Sequence, residues 1–254
     1  MRTPSIVLGK EIRCAGLTKQ FDGAAVLGPL DITFIAGQTT ALVGPSGCGK
    51  STFLRLIAGL DLPSAGSVCI GSQSPKEVAK RGALSMAFQD PALLPWRTVR
   101  ENIALGAKLA RKSDNGVDDL IALVGLSGFE THRPAELSGG MRQRAAIARS
   151  LVSEPELLLL DEPFGSVDAL TRARLNAELP PLWRKRAATT IMVTHSVDEA
   201  VLLSERIIVL SERPATVVAD LSVTFDEPRT AKLIDGHEFQ SRKAQVLRAL
   251  GVAV

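Results

Sequence analysis

The sequence predicts an α/β fold built around a parallel sheet. Short apolar runs alternate with helix patterns along most of the 254 residues, and one such pair flanks a glycine-rich loop at residues 44–52. Residues 90–137 carry helix patterns with no strand pattern between them, which indicates a helical subdomain inserted into the core. Ligands of parallel sheets bind at the carboxyl ends of the strands, so we expect the chemistry there.

Bulk properties narrow the classes of function. The net charge of +3 is too small to indicate nucleic acid as a partner. The three cysteines are odd in number and form no CxxC pair, which favours a reducing compartment over a disulfide framework or a zinc site. No apolar run reaches the length of a signal peptide or a membrane span, so we expect a soluble chain that meets a membrane only through a partner.

The first half of the chain is predicted to supply an antiparallel β piece and several core strands. Alternating runs at 11–21 and 30–37, joined by a Gly/Ala/Pro-containing connection, indicate the antiparallel piece. Ser74 and Pro75 predict the start of a short helix, as N-cap and first helical residue. Further strands are predicted at 39–44, 66–72 and 83–89.

The second half alternates strands and helices more regularly. Strands are predicted at 157–160, 189–195 and 206–212, and helices at 138–152, 169–179 and 196–204. Pro180 and Pro181 predict a kink or break near Leu179, because proline inside a helix removes a hydrogen bond and costs on the order of 3 kcal/mol. The tail beyond about residue 229 is polar and then weakly helical.

The loop GPSGCGKST fits the spacing G-x-x-x-x-G-K-[ST]. Glycine permits positive φ, so consecutive backbone N–H groups can approach one anion at the positive end of the following helix. The lysine can reach the β- and γ-phosphates, and the serine hydroxyl can bind Mg²⁺. A glycine-rich turn with a chance lysine is the alternative. The predicted phosphate-binding residues are Gly44, Pro45, Ser46, Gly47, Cys48, Gly49, Lys50, Ser51 and Thr52.

Two acids follow the four leucines of the run 157–160. A strand buried on both faces is continuously apolar, so Asp161 and Glu162 are predicted at the edge of a dry site. Asp161 is placed to hold Mg²⁺, usually through water, and Glu162 to orient or deprotonate an attacking water. The alternative is a helix N-cap with an accompanying acid, since Pro163 follows.

Three further features gain meaning only in combination. The segment LSGGMRQ, residues 137–143, opens a helix and predicts a second anion-binding N-terminus. Either one chain holds two phosphate groups, or each copy completes the site of another. Gln89 follows a strand and is placed to reach a metal ion or a water. His195 ends a strand that parallel topology would bring beside the γ-phosphate, although a lone histidine in that place is often structural.

The ordered set of GPSGCGKS, Gln89, LSGGM, LLLLDEP, Asp168 and His195 resembles the nucleotide-binding subunit of an ABC transporter. The match runs from about Glu11 to Leu210, and LSGGMRQ together with LLLLDEP is its most specific part. The resemblance implies a P-loop NTPase fold with a RecA-like core, an N-terminal antiparallel β-subdomain and an inserted α-helical subdomain. The implied boundaries are about 1–89 and 155–225 for the β-subdomain and core, 90–154 for the helical subdomain, and 226–254 for the tail.

The same resemblance implies how nucleotide is bound. Two ATP molecules, each with Mg²⁺, would lie between the subunits of a head-to-tail homodimer. The phosphate loop of one subunit would face Ser138, Gly139 and Gly140 of the other, and Asp168 would cross the interface. Phe21 would stack on adenine, where most relatives have a tyrosine; this chain has no tyrosine, and phenylalanine keeps the π-face.

The segment FQDPALLPWRTVRENIALG is similar to the branch that serves importers of nitrate, aliphatic sulfonates, taurine and related solutes. This implies membrane permease subunits, an extracytoplasmic solute-binding protein that acts through them, and a peripheral position at the cytoplasmic face of the inner membrane. Leu93, Leu94, Pro95 and Trp96 form an apolar cluster suited to the permease interface; alternatively they cap the core of the helical subdomain.

Two other functions compete with an importer motor. A soluble ABC ATPase of DNA repair would carry a long coiled coil, and one of translation would carry two cassettes; this chain has no sustained heptads and room for one cassette. A nucleotide-binding scaffold without turnover would have no need of Glu162 and His195.

Overall fold

A computed structural model describes residues 9–225 and 231–252. Within them the strands form two sheets, one of three strands and one of six. The strands are β1 (Ile12–Phe21), β2 (Ala24–Phe34), β3 (Thr39–Val43), β4 (Ala65–Ile70), β5 (Leu84–Ala87), β6 (Leu157–Asp161), β7 (Thr189–Val193), β8 (Arg206–Leu210) and β9 (Val217–Ser222).

The helices surround these sheets. Short 3-10 turns cover Pro134–Glu136 and Ala231–Asp235. No helix in the described part of the chain combines the length and the apolar character that crossing a membrane requires. The α-helices are α1 (Lys50–Ile57), α2 (Pro75–Lys80), α3 (Val99–Leu109), α4 (Val117–Leu123), α5 (Gly139–Leu151), α6 (Ala169–Glu178), α7 (Pro180–Lys185), α8 (Val197–Leu203) and α9 (His237–Ala249).

The smaller sheet is the predicted antiparallel piece, with the strand order β2-β1-β4. One prediction was wrong in its bounds: β2 begins at Ala24 rather than near Leu30. The connecting residues extend the ladder, because Ala24 pairs with Phe21 and Ala25 with Gln20. Pro29 is tolerated in β2 because it falls at a register shift, between the pairs Lys19–Leu27 and Leu17–Leu30, where the ladder with β1 is interrupted.

The larger sheet has the strand order β5-β6-β7-β3-β8-β9, and its first five strands run parallel. This confirms the predicted α/β class. The antiparallel edge strand β9 was not predicted. Its inner residues Ala219 and Leu221 are only partly buried against the core, and Val217 and Val218 are 39% and 53% exposed, so the alternation along the strand is weak.

Helix starts follow the predicted capping chemistry. Ser74 caps α2 and forms a capping box with Glu77, and Ser196 caps α8 by accepting from the Glu199 N–H. The predicted break near Leu179 is confirmed: α6 ends at Glu178 and α7 begins at Pro180. Leu179 keeps helical dihedrals, so the prolines interrupt the hydrogen-bond ladder while the chain stays in the α region.

The core is divided by the main sheet. Leu158 and Leu160 of β6 point into the cluster packed with α5 and α8, whereas Leu157 and Leu159 point into the cluster shared with the small sheet. Burial on both faces explains the run of four leucines and places Asp161, which is 5% exposed, at the edge of a dry layer.

The C-terminal tail contributes α9. Phe239 and Val246 of α9 are buried, and Lys243 Nζ lies 2.8 Å from Asp198 Oδ1 of α8. The helical prediction is therefore confirmed for this part, while residues 226–230 and 253–254 of the predicted tail lie outside the described residues. The predicted domain boundaries stay predictions.

Residues 93–96 were predicted either to form a permease interface or to cap the core of the helical subdomain, and different residues fit each interpretation. Leu93 packs against the core, whereas Trp96 is 67% exposed. Asn102 of α3, which is fully buried, clamps this segment: its Oδ1 accepts from the Leu94 N–H at 2.8 Å. Its Nδ2 lies 2.9–3.1 Å from the carbonyl oxygens of Leu94, Arg97 and Thr98.

We expect Asn102→Ala to lower the free energy of unfolding by about 3 kcal/mol, because it leaves several buried backbone groups without partners. Urea unfolding followed by circular dichroism measures the change. Asn115→Ala is the control, since Asn115 is exposed. A loss no larger than that of the control would contradict the clamp.

Candidate functional site

The loop between β3 and α1 has the backbone that the motif predicts. Gly47 has φ +72° and Gly49 has φ +121°, both in the region that favours glycine. A Cβ on Gly49 would lie 2.9 Å from the side chains of Val26 and Leu27, so glycine also lets the loop pack on β2. Gly49 has no side chain to cap α1, and the N–H groups of its first turn remain available to an anion.

Lys50 lies folded within this loop. Its Nζ donates to the carbonyl oxygens of Gly44 and Pro45, both at 2.8 Å, and lies 3.9 Å from the Cys48 Sγ. Lys50 is 4% exposed and Cys48 is 2% exposed, so both side chains belong to the interior of the loop. The ammonium group is therefore already positioned beside the backbone that would hold a phosphate.

The oxygen donors predicted for Mg²⁺ come together across the sheet edge. Ser51 Oγ donates to Asp161 Oδ1 at 3.0 Å, which joins the start of α1 to the end of β6. Burial raises the pKa of the Asp161 carboxyl above its ordinary value, and the hydrogen bond from Ser51 opposes that shift. A hydroxyl and a carboxylate are hard oxygen ligands, so this donor set fits Mg²⁺. Within the described residues no cluster of three or more His, Cys, Asp or Glu side chains forms a metal site.

Glu162 contacts residues that follow the two strands next to its own. Its Oε2 accepts from Gln89 Nε2 at 3.2 Å, and its Oε1 lies 2.6 Å from His195 Nε2. Gln89 follows β5, Glu162 follows β6 and His195 follows β7, as the order of neighbouring parallel strands requires. The Glu162 backbone has φ +49°, and its N–H donates to the Val193 carbonyl. A non-glycine residue in this region is held there by its surroundings, as is common at functional sites.

These groups line one cleft of about 260 Å³ above the phosphate loop. Phe21 does not belong to its lining: it is 45% exposed at the end of β1, and Lys19 Nζ lies 4.6 Å from the centre of its ring. The lining residues are Ser46, Gly47, Gly49, Lys50, Ser51, Thr52, Gln89, Glu162, His195 and Arg213.

The second predicted anion site forms a separate cluster. Ser138 caps α5 by accepting from the Met141 N–H at 3.3 Å, and Asp168 caps α6 by accepting from the Thr171 N–H at 3.0 Å. A Cβ on Gly140 would lie 3.1 Å from the Ser166 carbonyl oxygen, so this glycine allows the two helix starts to lie side by side. Ser138, Gly139, Gly140 and Asp168 are not among the described residues that line the cleft.

Sequence reasoning missed Arg213, which follows β8 and lies against the phosphate loop. The order of the strands contained a signal for it. Because β8 pairs with β3 in parallel, the residues after Leu210 must lie beside the residues after Val43.

A buried polar group next to His195 was also missed. Thr194 Oγ1 donates to Glu199 Oε2 at 2.6 Å and accepts from the Ser196 N–H, while Arg172 Nε lies 3.8 Å from Glu199 Oε1. Burial raises the pKa of the Glu199 carboxyl above its ordinary value, and Thr194 and Arg172 oppose the shift. This group ties α8, which begins just after His195, to α6, which begins just after Asp168.

Comparison with known proteins identifies relatives along nearly the whole chain. The family model described as ABC transporter matches residues 27–165. An aliphatic sulfonates import ATP-binding protein of Streptomyces avermitilis is 45% identical over 241 residues, which cover 95% of this chain and 91% of that protein. One of Pseudomonas putida is 41% identical, with 96% and 87% covered. An ABC transporter ATP-binding protein of Methanocaldococcus jannaschii is 40% identical, with 94% and 91% covered.

Solved structures give the same answer for the fold. The dimeric structure of an ATP-binding cassette in a post-hydrolysis state, bound to ADP and Pi, superposes with a TM-score of 0.75 at 28% identity. The superposition covers 84% of this chain and 99% of that one. A second dimeric structure, described as a bacterial ABC transporter cassette, gives the same values.

The raised pKa of Glu199 predicts a pH dependence of stability. Between the ordinary and the raised pKa the folded chain binds more protons than the unfolded chain, so the free energy of unfolding falls as pH rises through this window. Glu199→Gln keeps an acceptor for Thr194 and removes the buried charge. We expect it to be more stable than wild type in urea at pH 7, with a gap that narrows toward pH 4.5.

The matched control is Glu199→Ala, which removes the acceptor as well and leaves the Thr194 hydroxyl unpaired; it should be less stable than Glu199→Gln. A Glu199→Gln protein that is less stable than wild type by the same amount at both pH values would contradict the argument.

Proposed function

The chain belongs to the ABC transporter family, and from this membership we propose that it is the ATP-hydrolysing subunit of an importer for aliphatic sulfonates or a related small solute. One observation carries the catalytic part. Residues of the phosphate loop, with Ser51, line a single cleft with Glu162 and its two partners at the carboxyl edge of the sheet, and the hydrogen bond from Ser51 joins Asp161 to this group.

Within that cleft the phosphate loop would bind the ATP phosphates. Its backbone N–H groups and the start of α1 provide hydrogen-bond donors. Lys50 provides a positive charge: its ammonium group would exchange its hydrogen bonds to the Gly44 and Pro45 carbonyls for hydrogen bonds to phosphate oxygens. Ser51 and Asp161, with Gln89, would hold Mg²⁺, which supplies neutralisation of charge on the phosphates.

Glu162 is the group placed to orient and deprotonate the attacking water. Gln89 and His195 each occupy one carboxylate oxygen, so they set the direction in which the remaining lone pairs point. His195 also carries an N–H that can move from Glu162 to a phosphate oxygen once nucleotide is present. In this view Gln89 and His195 are positioning residues that sense whether a phosphate is bound.

We place the second half of each site on a second copy of the chain. Ser138, Gly139, Gly140 and Asp168 are exposed or half-buried helix starts outside the cleft, as surfaces that meet a partner would be. The cassette that shares this fold was solved as a dimer with ADP and Pi. Phe21 is proposed to stack on adenine, since its exposed ring has one face free of the Lys19 ammonium.

The segment that follows Gln89 is proposed to carry the change of state to the permease. It is held to α5 by Gln143, which donates to the Phe88 carbonyl at 3.2 Å, and by Arg149. Arg149 donates to the carbonyl oxygens of Pro91 and Ala92 at 2.8 and 2.9 Å. A shift of Gln89 would therefore move α5, whose N-cap is Ser138, together with the exposed Trp96.

The transport role follows from the relatives named for sulfonate import. We propose that permease subunits bind this chain at the cytoplasmic face of the membrane, and that an extracytoplasmic binding protein selects the solute. ATP would close the dimer through the γ-phosphate, and hydrolysis would reopen it.

Mixing two inactive variants tests whether the site is shared. Glu162→Gln removes the base and Ser138→Arg blocks the opposing helix start, so each homodimer should hydrolyse ATP at least 100-fold more slowly than wild type. A mixed dimer restores one intact site, built from Glu162 of one copy and Ser138 of the other. We expect roughly a quarter of the wild-type rate of phosphate release after mixing, because half of random pairs are mixed.

The matched control mixes each variant with itself at the same total concentration. Phosphate release that stays at the level of the parent variants would contradict a shared site. A Ser138→Arg protein with wild-type turnover would do the same.

Uptake tests the transport role. Cells that lack the gene should lose uptake of labelled aliphatic sulfonates, regain it with the wild-type gene, and fail to regain it with Glu162→Gln. Taurine and nitrate are measured in parallel to identify the solute. Unchanged uptake of all three in the deletion strain would argue against this group of solutes.

A further inference from the structure

Arg213 is the one cleft residue that the site described above does not use. It lies in the turn between β8 and β9, and its Nε donates to the carbonyl oxygen of Gly47 at 2.5 Å, at the tip of the phosphate loop. It lines the same cleft as Lys50, Ser51 and Glu162. Arg213 therefore places a cation in the cleft.

The turn holds Arg213 firmly in place. The Ser211 N–H donates to the Thr216 carbonyl at 2.9 Å, and the Thr216 N–H donates to Ser211 Oγ at 3.0 Å. Ala215, which is fully buried, donates its N–H to the Val26 carbonyl at 2.9 Å. Since Gly49 packs against Val26, the turn, β2 and the phosphate loop form one packed unit.

The guanidinium group has donors to spare. Arginine carries five N–H groups, and with the other described residues Arg213 makes one hydrogen bond and no ion pair. A carbonyl is a weak partner for a guanidinium compared with a phosphate, which accepts two parallel charged hydrogen bonds. The arrangement leaves a cation and several donors directed at a site for an anion.

We propose that Arg213 is a nucleotide-binding residue, which exchanges the Gly47 carbonyl for a phosphate oxygen of the bound nucleotide. This inference rests on the proposed function, because it assigns a further contact to the same cleft. Arg213 would then add a second side-chain cation to the cleft that Lys50 lines. Its place on a fixed turn means that little ordering is needed when nucleotide binds.

Calorimetric titration with ATP and with ADP tests the proposal. Arg213→Gln keeps a hydrogen-bond donor and removes the charge; we expect it to bind both nucleotides roughly tenfold more weakly than wild type at low salt. Arg213→Lys keeps the charge without the planar fork and should lie between the two. Because a phosphate contact is screened by salt, the difference between wild type and Arg213→Gln should shrink as sodium chloride is raised.

The matched control is Arg13→Gln, which removes the same charge from an exposed arginine of β1 that does not line the cleft. It should leave nucleotide affinity unchanged. Unchanged affinity in Arg213→Gln would overturn the proposal. A loss that is equal at every salt concentration would also overturn it, because Arg213 would then only shape the loop. A wild-type protein that binds no ATP would instead refute the proposed function.

Discussion

The rest of the site depends on the contacts that the Glu162 carboxylate makes with Gln89 and His195. The carboxylate stands at the end of β6 with Gln89 of the neighbouring strand end on one oxygen and His195 of the other neighbour on the second. Parallel pairing of β5, β6 and β7 is what makes this meeting possible, since it brings three carboxyl ends to one edge. Glu162 directly follows the continuously buried strand β6, and its two partners fix the orientation of its carboxylate.

A single chain presents two separate clusters of candidate nucleotide-binding residues. The phosphate loop, Ser51 and Glu162 line a cleft, while the helix starts at Ser138 and Asp168 form a second cluster outside it. The two clusters are nevertheless coupled within the chain. Arg172 donates to the Val167 carbonyl and pairs with Glu199, so one side chain contacts both the residues around Asp168 and the helix after His195.

Much of this could be predicted from the sequence because it depends on local chemistry. Gly49 and Lys50 lie at the fixed spacing of the phosphate-loop motif, and the run of four leucines indicates a strand buried on both faces. Ser74, Ser138 and Ser196 cap helices because a serine side chain accepts a hydrogen bond from a backbone N–H three residues later. What could not be predicted depends on contacts between distant segments. The alternation in β9 is weak because its inner residues are only partly buried, β2 starts earlier than predicted because its first residues pair with β1, and Arg213 lies beside Gly47 because β8 pairs with β3.

The two tryptophans differ strongly in their exposure to solvent. Trp183 is 3% exposed, with its Nε1 3.3 Å from Thr39 Oγ1, whereas Trp96 is 67% exposed on the segment after Gln89. With no tyrosine in the chain, the fluorescence excited at the long-wavelength edge of the aromatic absorption comes from these two indole rings. A dissolved quencher such as iodide would extinguish the outer ring first, so fluorescence reports directly on whether the face around Trp96 is covered.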